Sequence, residues 1–442
     1  MSKATHGKVT MKNLRSKLAA VWHKATGKSH SASNERYNVQ KIVHKQLESG
    51  SICADELLPV ADNKQQEVLL RMICEAGNKH NEGQPPSSST VEKIKSYIAE
   101  NMQHMTTEFL DRIEQISMMS GLFTIAYEAR EKNEELLLLH ADTEGFLTNR
   151  NARKLFWAYI NRDEDAAAGE MSRKGALKNI SIQNRVGTAR HIRALCAVLG
   201  INSENSNGKA NTGKQSREDT MFADFVRGKS IAVIGPSSSE VDISKEVGKD
   251  FDIVIRCSFF GSENLPPVQQ SLPMHISYYG GIDWNIFHAR LKENNFLTGL
   301  DFAVLSRSEQ KANLSRLGYT TVRVSTHVPV QFLPLGKNNM IQVILHDLSF
   351  YEPVRIKVFS CNLFLSKTPY DKGYMTGYGN RDKLMQRRTY VKHNPISNYN
   401  YMRALYKRGL IEADERLTEV LQLGTAEYMR ELEAQDERSV EK

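Results

Sequence analysis

The sequence predicts an α/β protein in which a Rossmann-like, mostly parallel sheet with helices on both faces follows an all-α N-terminal part. Two observations support this prediction. After residue 218, short β-branched runs alternate with helix-like stretches, which is the pattern of a parallel sheet covered on both faces. Before residue 202, apolar residues recur at helical spacing, as at Leu69, Ile73 and Ala76.

The predicted elements of the second part follow one another regularly. Strands are predicted at residues 230–235, 252–256, 275–279, 302–305, 320–325 and 354–359. Helix-like stretches lie between several of them, at 284–293, 308–317 and 338–350. In the first part, helices are predicted around 69–76, 109–116, 153–160 and 191–199. Because such sheets bind ligands at the carboxyl ends of their strands, we expect the chemistry just after Gly235, Arg256 and Phe359.

Charge and composition divide the chain. Residues 1–45 carry ten Lys and Arg side chains and one acidic side chain, whereas the remainder is nearly neutral. Such a basic arm is expected to be a solvated extension, or to touch anionic lipid or nucleic acid. Residues 202–217 hold almost nothing that can be buried. We therefore predict a linker at 202–217 between a helical domain, 46–201, and a second domain, 218–442.

The five cysteines are widely spaced and include no C-x-x-C pair. A disulfide framework and a zinc site are therefore not expected, and a reducing compartment fits. The N-terminal residues lack the apolar core of a secretory signal, and no apolar run reaches the length of a membrane-spanning helix. The sequence predicts a cytoplasmic protein.

Two motifs follow predicted strands. The first strand leads into Gly235, Pro236, Ser237 and Ser238. A glycine lets the backbone approach a ligand, and serine hydroxyls and amides bind phosphate or ribose oxygens, although a tight strand-to-helix turn is the alternative. The second strand ends in the tripeptide 256–258, whose arginine is either a buried ion-pair partner or a ligand contact.

Two further motifs precede helices. Gly336 and Asn338 lead into an apolar helix whose N-terminus suits an anion, with an ordinary helix cap as the alternative. His393 precedes Asn394 and Pro395, which fit the N-cap and first position of a helix of about 14 residues. The positive end of that helix is expected to lower the pKa of His393 and keep it neutral, as a general base requires; a loop histidine is the alternative.

Taken in order and spacing, these motifs resemble those of glycosyltransferase family 29, the sialyltransferases. The run SIAVIGPSSSEVDISKEVGKDFDIVIRCSF is similar to the large sialylmotif of that family, and LGKNNMIQVILHDLSFYEPVRIKVFS is similar to the small one. The run KHNPISNYNYMRALYKRGLI resembles the very small motif, and TPYDKGY stands where the short third motif lies. The resemblance covers about residues 227–414.

The resemblance implies a GT-A-like variant of the α/β fold and an inverting transfer of sialic acid from CMP-sialic acid to a glycan, without a metal or any cofactor beyond this donor. It implies that His393 is the catalytic base and that Tyr370 steadies the leaving phosphate. It assigns the nucleotide to the first two motifs and the donor sugar and phosphate to the third. The implied substrate-binding residues are Gly235, Ser237, Ser238, Arg256, Cys257, Ser258, Gly336, Asn338 and Tyr370.

The sequence departs from the family pattern at several positions. Pro334 and Leu335 replace the hydroxyl pair that binds the carboxylate of the donor, and Asn398 replaces the usual glutamate. The expected donor therefore includes other CMP-activated acidic sugars. Two alternatives stay open: another nucleotide-dependent transferase or pyrophosphokinase, and a binding protein whose transferase fold has lost activity. We expect a surface glycan or lipid-linked precursor as acceptor, peripheral contact with the inner membrane face through residues 1–45, and no specific nucleic acid.

Overall fold

The computed structural model describes residues 45–46, 51–143, 148–171, 191–201, 216–237, 241–265, 269–280, 284–325, 332–366 and 383–438. The basic arm apart from its last residue, and the predicted linker apart from its last two residues, lie outside these ranges. Ser238 and Tyr370 also lie outside them. Among the described residues, no helix has the length and apolar character needed to cross a membrane.

The described secondary structure between residues 51 and 201 is helical. Asn63, Ser87 and Thr106 each cap a helix by accepting a hydrogen bond from the amide three residues later. The predicted helical stretches of this part are confirmed. The helices are α1 (Ala54–Leu57), α2 (Lys64–Asn81), α3 (Ser88–Glu100), α4 (Thr107–Met119), α5 (Phe123–Leu139), α6 (Asn149–Asn161), α7 (Asp165–Glu170) and α8 (191–198).

The second part contains a parallel sheet of seven strands in the order β5-β4-β3-β2-β1-β6-β7. The six predicted strands are confirmed, and the short strand β7 was not predicted. The strands are β1 (Ser230–Ile234), β2 (Ile253–Cys257), β3 (Ile276–Tyr279), β4 (Phe302–Leu305), β5 (Val322–Val324), β6 (Arg355–Phe359) and β7 (Glu412–Ala413).

Helices cover both faces of the sheet. In β1, Ile231 and Val233 belong to a large apolar core, whereas Ala232 and Ile234 belong to a smaller one that includes Val247. This alternation shows that both faces are buried. The helices of this part are α9 (Arg217–Val226), α10 (Ser244–Asp250), α11 (Trp284–Asn294), α12 (Ser308–Arg316), α13 (Met340–Leu348), α14 (Lys383–His393), α15 (Pro395–Lys407), α16 (Glu415–Gln422) and α17 (Thr425–Arg438).

The large core is continuous between the helical part and the sheet. It includes Phe109 of α4, Ile231 of β1 and Leu432 of α17. The C-terminal helices also make polar contacts with the first part: Glu433 accepts hydrogen bonds of 2.6 Å from both the amide and the hydroxyl of Thr124. The division into separate domains stays a prediction, and the two parts share one apolar interior.

A buried charge network ties the sheet to two helices. The Arg323 guanidinium on β5 contacts Asp219 of α9 at 2.7 Å and both carboxylate oxygens of Asp347 on α13, at 2.5 and 3.0 Å. Tyr278 of β3 donates to Asp347 at 2.7 Å, and Ser325 donates at 3.0 Å. Burial opposes ionisation of Asp347, but Arg323 and these hydrogen bonds hold the pKa of its carboxyl below the usual range.

We predict that Asp347→Asn lowers the free energy of unfolding by about 3–5 kcal/mol, because it leaves the Arg323 charge buried without its main counter-charge. The control is Glu412→Gln, which removes the exposed partner of Arg355 and is expected to cost at most about 1 kcal/mol. Urea unfolding of both variants measures the difference. Equal stability losses would show that the buried network does not hold the fold.

Candidate active site

Strands β2 to β5 are added on one side of β1, and β6 and β7 are added on the other, so the topological switch point lies between β1 and β6. The crevice for a ligand is expected at the carboxyl ends of these two strands. Gly235 follows β1 and donates to the Phe359 carbonyl at 2.8 Å. The Ser237 amide donates to the Ser360 carbonyl at 3.0 Å, and its hydroxyl donates to Oδ1 of Asn362 at 3.0 Å. We call Gly235, Ser237, Ser360 and Asn362 the switch-point cluster.

Gly235 is required by a close approach of the chain to itself. A Cβ at this position would lie 2.4 Å from the carbonyl oxygen of Ser360. Ser360 adopts the left-handed conformation, with φ of 49°, and its amide donates to Asp414 at 2.7 Å. Its hydroxyl is buried and has no hydrogen-bond partner among the described residues. This hydroxyl is a polar group that a bound ligand would satisfy.

The second predicted motif continues the same edge of the sheet. Arg256 pairs in register with Ile234 and is almost fully buried, and its guanidinium donates to the side chain of Gln269. Cys257 is buried in the strand. Ser258 takes the left-handed conformation, with φ of 53°, and its amide donates to the Tyr278 carbonyl at 2.9 Å. Ser258 is thus the more accessible member of this motif.

The third motif meets the fourth. Gly336 has φ of 73°, and a Cβ there would lie 2.5 Å from the Asn394 Cβ and 3.1 Å from the carbonyl carbon of His393. The Lys337 amide donates to the Lys392 carbonyl at 2.7 Å. The structure therefore brings the Gly336 loop, residues 335–339, directly against the backbone at His393.

Asn398 connects these two segments, and sequence reasoning did not identify this role. Its Oδ1 accepts from the Asn339 amide at 3.0 Å. Its Nδ2 donates to the carbonyls of His393 and, at 3.1 Å, Asn394. We call Gly336, His393, Asn394 and Asn398 the His393 cluster. The sequence places Asn398 in the fourth motif, which marks it as a candidate. Its hydrogen bond with Asn339 could not be predicted, because only the tertiary fold brings the two residues together.

The same loop lies at the carboxyl edge of the sheet. Met340 opens α13, and its side chain fills the space beside Gly280, which follows β3. Asn339 makes no side-chain hydrogen bond to the first-turn amides of α13, so within the described residues this helix start has no side-chain cap. Asn338 lies beside it, and its buried Oδ1 has no hydrogen-bond partner among the described residues. Both features suit the binding of polar ligand groups.

His393 lies just outside the start of α15, as predicted, with Asn394 as the N-cap and Pro395 at the first position. The loop alternative is wrong, because His393 is also the last residue of α14. The negative end of α14 and the positive end of α15 therefore meet at His393, so the expectation that only a positive helix end lies beside this residue was incomplete. Helix α14 was missed because its sequence, KLMQRRTYVKH, has no apolar stripe. His393 is partly exposed.

Two other histidines near the sheet have structural contacts. Nδ1 of His275 accepts from the Val254 amide at 3.0 Å, which joins β2 to the start of β3. His346 is fully buried on α13 and stacks on Phe332 with 4.3 Å between ring centroids. Burial lowers the pKa of His346 to about 3. Neither side chain is placed as His393 is, partly exposed beside the Gly336 loop.

Helices of the N-terminal part contact the His393 cluster. Glu114 of α4 accepts from Asn394 Nδ2 at 2.6 Å, and Arg130 of α5 donates to the two oxygens of Glu114 at 2.7 and 2.8 Å. Arg130 also donates to the Ser397 hydroxyl at 3.3 Å. We call Glu114, Arg130, Asn394 and Ser397 the buried clamp, since all four are at least 95% buried.

A small cavity adjoins the buried clamp. It is lined by Arg130, Asn133, Glu134, Leu137, Lys154 and Pro334, the last of which precedes the Gly336 loop. Pro334 therefore faces the helical part. Burial raises the pKa of Glu134 to about 7, against the opposing effect of Arg130 and of a 2.9 Å hydrogen bond from Asn161.

Among the described residues, no three His, Cys, Asp or Glu side chains are grouped so that they would hold a metal ion. The His393 cluster offers a partly exposed histidine beside the Gly336 loop, and the switch-point cluster offers a buried hydroxyl without a partner among the described residues. An imidazole can accept a proton, and such a hydroxyl can bind a polar ligand group.

Comparison of the chain with protein-family models, with curated proteins and with solved structures finds no match.

We predict that Gly235→Ala destabilises the protein by about 1–3 kcal/mol, because the new methyl group would lie 2.4 Å from the Ser360 carbonyl oxygen and the backbone must shift to relieve the overlap. The control is Gly248→Ala in α10, where a Cβ meets nothing within 4 Å. This control is expected to gain about 0.5–1 kcal/mol, as alanine is the better helix residue. Thermal unfolding compares the two variants, and an unchanged Gly235→Ala would remove the close contact as a constraint.

The raised pKa of Glu134 makes the stability of the protein depend on pH. Because the pKa of Glu134 rises from its ordinary 4.5 to about 7 on folding, the protonated form stabilises the fold below about pH 4.5. That contribution is lost as the pH rises through 7. Glu134→Gln should therefore gain stability relative to the parent chain between about pH 4.5 and pH 8, by up to about 3 kcal/mol. The measurement is the free energy of unfolding of both proteins as a function of pH. A difference between them that stays constant from about pH 4.5 to pH 8 would contradict the prediction.

Proposed function

We propose that the chain is an inverting, metal-independent glycosyltransferase with a GT-A-like α/β fold and a helical N-terminal domain. It moves sialic acid or a related acidic sugar from a CMP-activated donor to a glycan acceptor. The observation that carries the proposal is the contact of the Gly336 loop with His393. Two motifs, distant in sequence, that the resemblance assigns to the donor and to the general base, meet at one edge of a parallel sheet.

His393 acts as the general base in this proposal. An imidazole nitrogen takes the proton of the acceptor hydroxyl while that oxygen attacks the anomeric carbon of the donor. The bond from this carbon to the phosphate oxygen breaks, CMP leaves with the electron pair, and the proton passes from His393 to solvent. Base catalysis of this kind contributes about 10²–10⁴ in rate.

The charge beside His393 fits an anionic substrate. Lys337 and Lys392 are exposed, and the hydrogen bond between their backbones holds them next to each other. Arg388, also exposed, lies four residues before Lys392 and so on the same face of α14. A CMP-activated acidic sugar carries a phosphate and a carboxylate. Cationic side chains at this edge favour its approach.

The switch-point cluster is the proposed nucleotide end of the site. Its buried Ser360 hydroxyl and the turn after Gly235 offer polar groups to ribose or phosphate oxygens. Pro334 and Leu335 are buried and supply no hydroxyl. We therefore include acidic sugars other than sialic acid among the donors. The basic arm 1–45 would bring the enzyme to the inner membrane face, where a lipid-linked glycan is a suitable acceptor.

A binding protein without turnover is the second candidate. The observation that favours it is that Arg256 and Ser237 are buried and already hydrogen-bonded within the chain.

A thermal-shift screen with CMP, UDP, GDP and ADP separates the nucleotide classes. A nucleotide present at one hundred times its Kd adds about 2.7 kcal/mol to stability. We expect a shift with CMP alone; a shift with ADP or GDP alone would favour another nucleotide-dependent transferase.

We predict that His393→Ala lowers kcat by about 10²–10⁴, because the acceptor hydroxyl loses its proton acceptor. The affinity for CMP should be unchanged, since the imidazole faces the acceptor. The measurement is the rate of sugar transfer, with melting temperature and CMP titration beside it.

The matched controls are His275→Ala and His346→Ala. Both remove histidines with structural contacts, so they should lower the melting temperature more than they lower kcat. A folded His393→Ala variant that keeps most of its activity would refute the base assignment.

A further inference from the structure

We propose that Glu114 and Arg130, in the helical part of the chain, are positioning residues for His393. The proposal rests on the proposed function of His393 as the general base. It adds that the helical part belongs to the active site, because it fixes the bend in the backbone on which the imidazole is carried.

The bend lies at Asn394, between α14 and α15. Asn394 has φ of 26°, a conformation that side-chain-bearing residues seldom adopt. Its side chain is fully engaged: Oδ1 accepts from the Ser397 amide at 2.9 Å and from Arg130 at 3.4 Å, while Nδ2 donates to Glu114 at 2.6 Å. These bonds stabilise a backbone conformation that would otherwise be strained.

The charges of the clamp are matched inside the protein. Glu114 is 0% exposed and Arg130 is 5% exposed, and the pair forms two parallel hydrogen bonds. A bidentate pair of this kind fixes direction as well as distance. Glu114 therefore presents a rigid acceptor to Asn394. The adjacent residue, His393, takes its direction from the same bend.

The His393 carbonyl is held from the other side by Asn398, which also binds the Gly336 loop. The backbone that carries the imidazole is thus held by two sets of contacts, one to the loop and one to α4 and α5. Removing the second set should let the bend relax while the loop contact persists. We therefore expect a folded protein in which the His393 imidazole is displaced from its position in the parent chain.

The test replaces the buried ion pair by apolar residues, Glu114→Leu with Arg130→Met. Such replacements often preserve folding, because they remove both charges together. We expect a folded protein with a lowered melting temperature, because the buried Asn394 amide loses its acceptor. The CMP affinity should be unchanged and kcat lowered by about 10- to 100-fold, since small misplacements of a reacting group have effects of this size. The His393 signal in the spectrum of ¹³C-histidine-labelled protein, assigned with His393→Ala, should shift together with its titration midpoint.

Two further variants separate positioning from a general loss of packing. Glu114→Gln with Arg130→Met restores an acceptor for Asn394 without a buried charge, and it should recover most of kcat. Lys132→Met with Glu135→Leu removes an exposed ion pair of α5 and should leave the His393 signal unchanged.

A folded Glu114→Leu, Arg130→Met variant with the parent kcat and an unchanged His393 signal would overturn the proposal. If that variant does not fold, Asn394→Gly decides, because glycine accepts the bend but lacks the side-chain bonds: a shifted His393 signal supports positioning, and an unshifted one overturns it. If the parent chain transfers no sugar, the proposed function fails, yet the His393 signal still tests the clamp.

Discussion

The arrangement of the sheet and its helices depends on one buried network, the ion pairs of Arg323 with Asp219 and Asp347. A buried arginine is costly unless its donors are satisfied, and here Asp219, Asp347 and Tyr351 accept from it. These partners come from α9, α13 and the turn that follows α13. The network therefore fixes α13 against the carboxyl half of the sheet, since Tyr278 of β3 donates to the same Asp347. The other end of α13 carries the loop that meets His393, so the place of that loop follows from the network.

The C-terminal helices return to the helical part and join it to the sheet. Asp436 of α17 binds His80 of α2 at 3.1 Å and Arg387 of α14 at 2.5 Å, all in the interior. Gly121 lies beside this group, and a Cβ there would overlap Arg387 and His80. The segment that ends in His393 is thus bound to α2 at one end and to α4 and α5 at the other. The site is held by residues from both parts of the chain.

The sheet could be predicted from the sequence because buried parallel strands are continuous β-branched runs, as in residues 230–234 and 253–257. The contact of Gly336 with the backbone of His393 was not predicted, although both residues lie in motifs that the sequence singled out. Helix α14 could not be predicted, because its buried side chains, Arg387, Tyr390 and Val391, form no apolar stripe of helical period. The contacts of Glu114 with Asn394 were equally hidden, because nothing local relates two residues that only the tertiary fold brings together. Long-range polar contacts of this kind decide the site's geometry.

Asn398 shows why an amide, rather than a carboxylate, suits the connection between the Gly336 loop and the bend at Asn394. A glutamate there, when ionised, accepts hydrogen bonds only, whereas an amide both donates and accepts. The Asn398 amide uses both capacities: it accepts from Asn339 and donates to the carbonyls of His393 and Asn394. An ionised carboxylate would repel those two carbonyl oxygens. With the neutral amide, the contact between the Gly336 loop and the bend does not change with pH, so within the His393 cluster the titratable side chain is the imidazole itself. The hydrogen bonds that hold the loop beside His393 are therefore made by groups that do not ionise, whatever the charge of the imidazole.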